Sequence, residues 1–222
     1  MKNASIVLFG DSYTAGRIPH TQIDGAFRKA LLGVYRDYAL SGSTAVQWAG
    51  DIDGRLSDVC ESPADIAVGS LLGNDVFAAL ADGKVTLDET LRSMAALAIV
   101  LSRIAHTKPV LLMLYPNPYM GVPDKHPEAA EGVRRLNAAI GCVADVINAS
   151  IGNHPVMPLD LGTVLRPEHF DGLDIHPNEA GYQAMAEAVM DIIVRGGVAA
   201  GVGKGGARPD KTADSKQPAP VR

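Results

Sequence analysis

A serine, a glycine, an asparagine and a histidine, each in a short polar turn, are the residues of this chain best suited to chemistry. Ser12 closes Gly10-Asp11-Ser12 directly after the apolar run Ser5-Ile6-Val7-Leu8-Phe9. Gly42 lies in Ser41-Gly42-Ser43-Thr44, Asn74 in Gly73-Asn74-Asp75, and His176 in Asp174-Ile175-His176-Pro177-Asn178. A serine hydroxyl is a weak nucleophile at neutral pH and needs a base to take its proton as it attacks. An imidazole, with an unperturbed pKa of about 6.5, suits that task, so His176 is the expected base. Attack on a carboxylic carbonyl puts negative charge on its oxygen. The Ser12 N–H, the Gly42 N–H and the Asn74 amide are candidate donors to it, and losing one such donor costs roughly 3 to 4 kcal/mol in the transition state. At Gly42 the missing side chain would also keep the backbone open to substrate. Each motif taken singly has a plainer reading, because Gly-Asp-Ser is a common surface turn and Asn74 or Asp75 can simply cap a helix.

The elements around these turns decide between the readings. Ile6 to Phe9 reads as a strand buried on both faces, and Gly10 permits a tight exit at its carboxyl end, where open α/β sheets bind ligands. Phe27, Ala30, Leu31 and Val34 have helical spacing and predict a helix over 25–35. A turn near Arg36 and an extended segment Asp37-Tyr38-Ala39-Leu40 follow. A second helix is expected from about Ala45 to Leu56, and Ala64 to Leu72 reads as a buried strand running into the Asn74 turn. Thr86 and Glu89 form a capping box for a helix to about Ala105, with Leu87, Leu91, Met94, Leu97, Val100, Leu101 and Ile104 on its apolar face. Val110 to Leu114 is the next strand; a proline-rich loop, a helix from about Glu128 to Ala149 and an apolar segment from Val156 to Leu161 follow. Pro177 suits the first turn of a final helix that buries Tyr182, Met185, Ala186, Val189, Ile192 and Ile193. Strands alternating with helices predict an α/β sandwich with a largely parallel sheet. Three of the four turns would then share one rim.

Composition narrows the function classes. The 222 residues suit one domain over 1–195, followed by a Gly/Pro/Lys-rich tail, 196–222, expected to be disordered from Gly203 on. The formal charge is -5, and the tail, with five basic and two acidic residues, contributes +3, which leaves -8 on the rest. Nucleic acid is therefore not an expected partner. Cys60 and Cys142 have no disulfide or zinc spacing and are expected to be buried, unpaired thiols. No stretch reaches the roughly 20 apolar residues of a membrane span, and with no signal-like segment the protein is expected to be soluble and cytoplasmic. Nothing in the sequence fixes the oligomeric state.

The four turns, in this order, resemble the SGNH/GDSL hydrolase superfamily, over about Ile6 to Ala186. Gly10-Asp11-Ser12-Tyr13 looks like the first block, whose serine is the nucleophile. Tyr13 stands where a leucine is common, a change expected to leave the chemistry untouched. Ser41-Gly42-Ser43-Thr44 is similar to the second block, where the glycine N–H helps to stabilise the oxyanion, and Gly73-Asn74-Asp75 to the third, where the asparagine does so. Asp174-Ile175-His176-Pro177-Asn178 resembles the fifth. The family usually places its aspartate three residues before the histidine, which here is Leu173. Asp174, two before, is favoured, since residues two apart in an extended segment face the same way. Asp171, five before, and a backbone carbonyl are the alternatives.

The resemblance implies a three-layer α/β/α sandwich with a mainly parallel, flavodoxin-like sheet. It also implies a serine carboxylic-ester hydrolase of esterase or lipase type that forms an acyl-enzyme and needs no cofactor. A small ester, a lysophospholipid, a thioester or an acetylated compound would be its substrate. Two alternatives stand beside this: an acyltransferase using the same Ser-His site, and a non-catalytic α/β ligand-binding module. Asp11 is expected to be structural, accepting backbone N–H groups in the nucleophile turn, and no motif spacing supports a metal. His20, His106, His126, His154 and His169 read as surface or loop residues and Trp48 as core. Pro116, Asn117, Pro118 and Tyr119 are candidates for the leaving-group side.

Overall fold

The apolar segments become the strands β1 (Ile6–Gly10), β2 (Val34–Asp37), β3 (Ile66–Ser70), β4 (Val110–Leu114) and β5 (Val156–Asp160). The structure, a computed structural model, describes residues 4–76, 86–117, 120, 127–151 and 154–195. All five strands lie in one sheet of order β2-β1-β3-β4-β5, and every neighbouring pair is parallel. Every residue of β1 and β3 is buried. A strand covered on both faces needs an unbroken apolar run rather than an alternating one, which is what these segments supply.

Among the described residues the strands are connected and covered by the helices α1 (Ser12–Ala15), α2 (Ala26–Ala30), α3 (Ala45–Ala49), α4 (Arg55–Glu61), α5 (Leu87–Ala105), α6 (Pro127–Ile151) and α7 (Glu179–Arg195). α2 packs on α7, whereas α5 packs on α3, α4 and α6. Handedness explains the two groups. The β1-to-β2 connection runs one way along the sheet and the later connections run the other way, so right-handed crossovers put their helices on opposite faces. The result is a three-layer α/β/α sandwich. The direction changes between β1 and β3, and the diverging connections open a crevice at their carboxyl ends.

Several elements depart from the sequence expectation. The helix expected over 25–35 stops at Ala30, because Leu31 is extended (φ -80°, ψ 134°), and Val34 and Tyr35 instead begin β2 at the sheet edge. The helix expected over Ala45 to Leu56 is broken, with Asp51 and Asp53 in left-handed backbone (φ 65° and 49°). Aspartate tolerates that region better than most residues, and the Asp51 carboxylate accepts the Ser57 N–H (2.8 Å) at the start of α4. Pro177 is not in the first turn of α7 but pairs with Phe170 in an isolated antiparallel bridge, and Asn178 caps the helix by accepting the Gly181 N–H. The Thr86–Glu89 capping box forms as expected, but Leu87 and Leu91 at that end of α5 are exposed. Neither cysteine is buried as expected: both are free thiols, Cys60 half-buried and Cys142 exposed. Among the described residues no helix is long and apolar enough to cross a membrane. The expected tail 196–222, together with Pro118, Tyr119 and His126, lies outside the described residues.

Candidate active site

β1 ends against β3, and the contact requires glycine. Gly10 has φ +110°, and a Cβ there would stand 2.0 Å from the Ser70 carbonyl oxygen. The chain then turns sharply through Asp11 into α1, whose first residue is Ser12. Asp11 is the N-cap: its Oδ1 accepts the Tyr13 N–H (3.1 Å) and the Ser70 hydroxyl (2.7 Å), and its Oδ2 accepts the Tyr115 phenol. Asp11 thus has the structural contacts expected of it. Burial pushes its carboxyl up to about 6 in spite of the Tyr115, Ser70 and Tyr13 donors. The Tyr115 oxygen in turn accepts the Gly73 N–H (2.9 Å), so this one carboxylate braces the turns that carry Ser12 and Asn74.

Ser12, His176 and Asp174 form a continuous hydrogen-bonded chain. The Ser12 Oγ lies 3.0 Å from His176 Nε2, and His176 Nδ1 lies 2.9 Å from Asp174 Oδ1. A carboxylate can only accept, so Nδ1 carries the ring proton and Nε2 of the neutral ring accepts the serine hydroxyl. That tautomer can take a proton from Ser12. Of the three partners weighed for the ring, Asp174 is the one in contact, although it stands two residues from the histidine instead of three. The Asp171 carboxylate instead accepts the Asn178 amide (3.1 Å). Ser12 is 8% exposed, and the side chains of Asp174 and His176 are each 14% exposed, so all three are largely shielded from solvent.

The electrostatics follow from these contacts. Burial lowers the His176 pKa below 6.5, and the Asp174 carboxylate only partly offsets it. Burial raises the Asp174 carboxyl, but the N–H groups of His176 and His20 and the His176 ring outweigh that and bring it below its ordinary value. His20, read from sequence as a plain loop residue, is exposed yet donates its N–H to Asp174 Oδ2 (2.7 Å).

Gly42 and Asn74 belong to a second cluster, which is joined to the first through Gly10. The Asn74 side-chain amide donates to the Ser43 carbonyl (2.9 Å), and Asp75 Oδ2 accepts the Ala45 N–H (2.8 Å), so the Asn74 turn holds the Gly42 turn. Ser43 Oγ donates to the Gly10 carbonyl (3.1 Å) and accepts from the indole of buried Trp48 (2.9 Å). Gly42 itself has φ +80°, and a Cβ there would meet nothing within 4 Å. Its glycine is therefore required by backbone conformation, with no protein group crowding the position. Among the described residues no carbonyl accepts the N–H of Ser12 or of Gly42. No hydrogen bond joins Asn74 or Gly42 to Ser12 directly.

Beside the Asn74 turn, between α5 and α6, lies a largely apolar cavity of about 460 Å³ lined by Leu72, Asp75, Val76, Met94, Leu136 and Ala139, among others. Sequence reasoning missed Tyr13, Ser43 and Tyr115. All three donate or accept across long stretches of chain, and for Tyr13 the departure from the leucine common at its position was the available signal. Among the described residues no group of three His, Cys, Asp or Glu side chains is placed to hold a metal ion.

A family model described as the GDSL-like lipase/acylhydrolase family matches residues 8–184. No curated protein matches the chain. Solved structures share its fold. A family 3 carbohydrate esterase of Clostridium thermocellum is 18% identical with a TM-score of 0.63, over 90% of this chain and 98% of that one. A member of the lipolytic protein G-D-S-L family from Veillonella parvula is 19% identical with a TM-score of 0.60, over 86% and 98%. Axe2, an acetylxylan esterase from Geobacillus stearothermophilus, is 19% identical with a TM-score of 0.59, over 87% and 96%.

Proposed function

Because the chain belongs to the GDSL-like lipase/acylhydrolase family and is a serine ester hydrolase, we propose that it cleaves its ester through an acyl-enzyme formed on Ser12. The observation that carries this reading is the chain from the Ser12 hydroxyl through His176 to Asp174, with spacings of 3.0 and 2.9 Å. As Ser12 Oγ bonds to the ester carbonyl carbon, its proton passes to His176 Nε2. The negative charge of the tetrahedral intermediate is met by the Ser12 and Gly42 N–H groups and the Asn74 amide. The alkoxide leaves with the proton held by His176; water then attacks the acyl carbon by the same route, giving a proton to His176, which returns it to Ser12 Oγ as the Oγ–C bond breaks and the acid departs. Asp174 keeps the ring in the reactive tautomer and balances its charge while it is protonated. No step calls for a cofactor.

Two observations bear on the substrate. The largely apolar cavity beside the Asn74 turn, lined also by Asp75, Glu89 and Arg135 and by neither Ser12 nor His176, is the candidate seat for an acyl part of several carbons, for which each buried methylene is worth about 0.8 kcal/mol. The names of the structural neighbours, an acetylxylan esterase and a carbohydrate esterase, favour an acetylated carbohydrate as a second reading. Rates on aryl esters of increasing acyl length, set beside an acetylated sugar and an acyl thioester, separate the two. Ser12→Ala and His176→Ala are each expected to abolish turnover of a short-chain aryl ester without unfolding the protein. Full activity in Ser12→Ala, or no labelling of Ser12 by a fluorophosphonate, overturns the assignment.

A further inference from the structure

The segment that carries the acid and the base is unusually short, and its middle peptide is held from both sides. Asp174 Oδ1 accepts the backbone N–H of His176 (2.9 Å) as well as the ring Nδ1–H. The N–H belongs to the planar peptide unit between Ile175 and His176, whose carbonyl points the opposite way. That carbonyl accepts the hydroxyl of Tyr13, the residue next to the nucleophile. Tyr13 is itself fixed. It is 3% exposed, its ring meets Tyr115 edge-on at 5.3 Å, and its backbone N–H is bound to Asp11. Downstream of His176 the chain is tied by the Phe170–Pro177 bridge, and upstream by the His20 N–H on Asp174. Between those ties, among the described residues, the peptide that bears the base is hydrogen-bonded by Asp174 on one side and Tyr13 on the other.

We propose that Tyr13 is a positioning residue of the reaction: its hydroxyl clamps the Ile175–His176 peptide, so that an aspartate only two residues from the histidine can serve the ring and the backbone at once. The chain departs from the resembled family pattern at two places, the residue after the serine and the spacing of the acid, and this hydrogen bond joins them. The Tyr13 hydroxyl reaches the Ile175 carbonyl and not the reacting nitrogen, while its ring stands tilted beside the His176 ring with centroids 5.8 Å apart. Tyr13 acts through His176, and because it follows Ser12 directly, nucleophile and base are referred to one rigid turn. Burial, with Asp11 and Asp174 nearby, pushes the Tyr13 phenol above its ordinary value, so the clamp keeps its proton across the acid limb of His176.

The inference rests on the acyl-enzyme reading above, and the experiment separates the two. Tyr13→Phe removes the hydroxyl alone, and Tyr13→Leu supplies the residue common at this position. Both are compared with wild type for kcat, KM and the pH dependence of kcat/KM, each normalised to Ser12 sites titrated to completion with a fluorophosphonate, and Ser12→Ala is assayed beside them per mole of protein. Both Tyr13 variants are expected to lose 10- to 100-fold in kcat with KM within about twofold, the size of effect that an ångström of misplacement produces. Their acid limb should also move to lower pH, since a loosened Asp174 contact no longer holds up the His176 pKa. A kcat within twofold of wild type, or a lower kcat with the acid limb unmoved, overturns the role of Tyr13. Activity surviving in Ser12→Ala overturns the acyl-enzyme reading instead.

Discussion

His176 works between opposing influences: burial favours its neutral form, and the Asp174 carboxylate favours the protonated one. The neutral ring is the base, so kcat/KM is expected to fall as pH drops through the pKa of the folded enzyme, which lies below 6.5. The activity profile should therefore be flat near neutrality, with its acid limb below pH 6.5. Asp174→Asn removes the influence that raises the pKa and offers the ring an amide of the wrong polarity. Its acid limb should move lower still, with kcat reduced by about 10³- to 10⁴-fold; a rate within tenfold of wild type would show that Asp174 is dispensable. Ser12, Asp174 and His176 were legible in sequence because each lies in a short contiguous motif whose residue types state their chemistry. Tyr13, His20 and Tyr115 were not, because their partners stand 162, 154 and 104 residues away. Nothing local to a tyrosine tells which carbonyl or carboxylate its hydroxyl will meet.

Turns that follow strands carry the candidate groups, and Ser43 fastens two of those turns together. Its hydroxyl reaches the Gly10 carbonyl and the Trp48 indole, while its carbonyl takes the Asn74 amide. Ser43→Ala leaves the Gly10 carbonyl with the Leu40 N–H but strands a fully buried indole N–H. The unfolding free energy should drop by about 1–3 kcal/mol, the cost of an unpaired buried donor. Urea titration measures it, and a loss below about 0.5 kcal/mol would mean that the indole finds another partner. Legibility at this scale follows length and the strength of the end signals. α5 announces itself by a capping box and five turns of helical spacing, and β1, β3 and β4 by unbroken apolar runs. The stretch over 25–35 carries an equally helical spacing, yet Val34 and Tyr35 are drawn to the edge of the sheet by pairing with β1. A periodic pattern only a few turns long yields to a strand that needs a neighbour.

At the scale of the molecule, the reversal of strand order between β1 and β3 brings the serine turn and the asparagine turn together, and a buried carboxylate lies where those strands end. Asp11 has a folded-state pKa of about 6 against 3.8 when unfolded. Below 3.8 both states hold the proton, and between the two values only the folded state does, so stability is lost as pH rises through this window. By pH 7 the loss approaches about 3 kcal/mol, at 1.36 kcal/mol per unit of pKa shift. Asp11→Asn abolishes that contribution, so its stability relative to wild type should improve by roughly this amount between pH 4 and pH 7. Unfolding curves at the two pH values measure it; a difference that stays constant would show that Asp11 does not titrate in this range. The same turn holds Ser12, 164 residues before the histidine it meets. A growing polypeptide therefore carries its reactive hydroxyl through the next 164 residues of synthesis with no base to waken it. A chain cut short before His176 would be inert toward esters, and turnover would report that the serine and histidine segments have both been made and folded against each other.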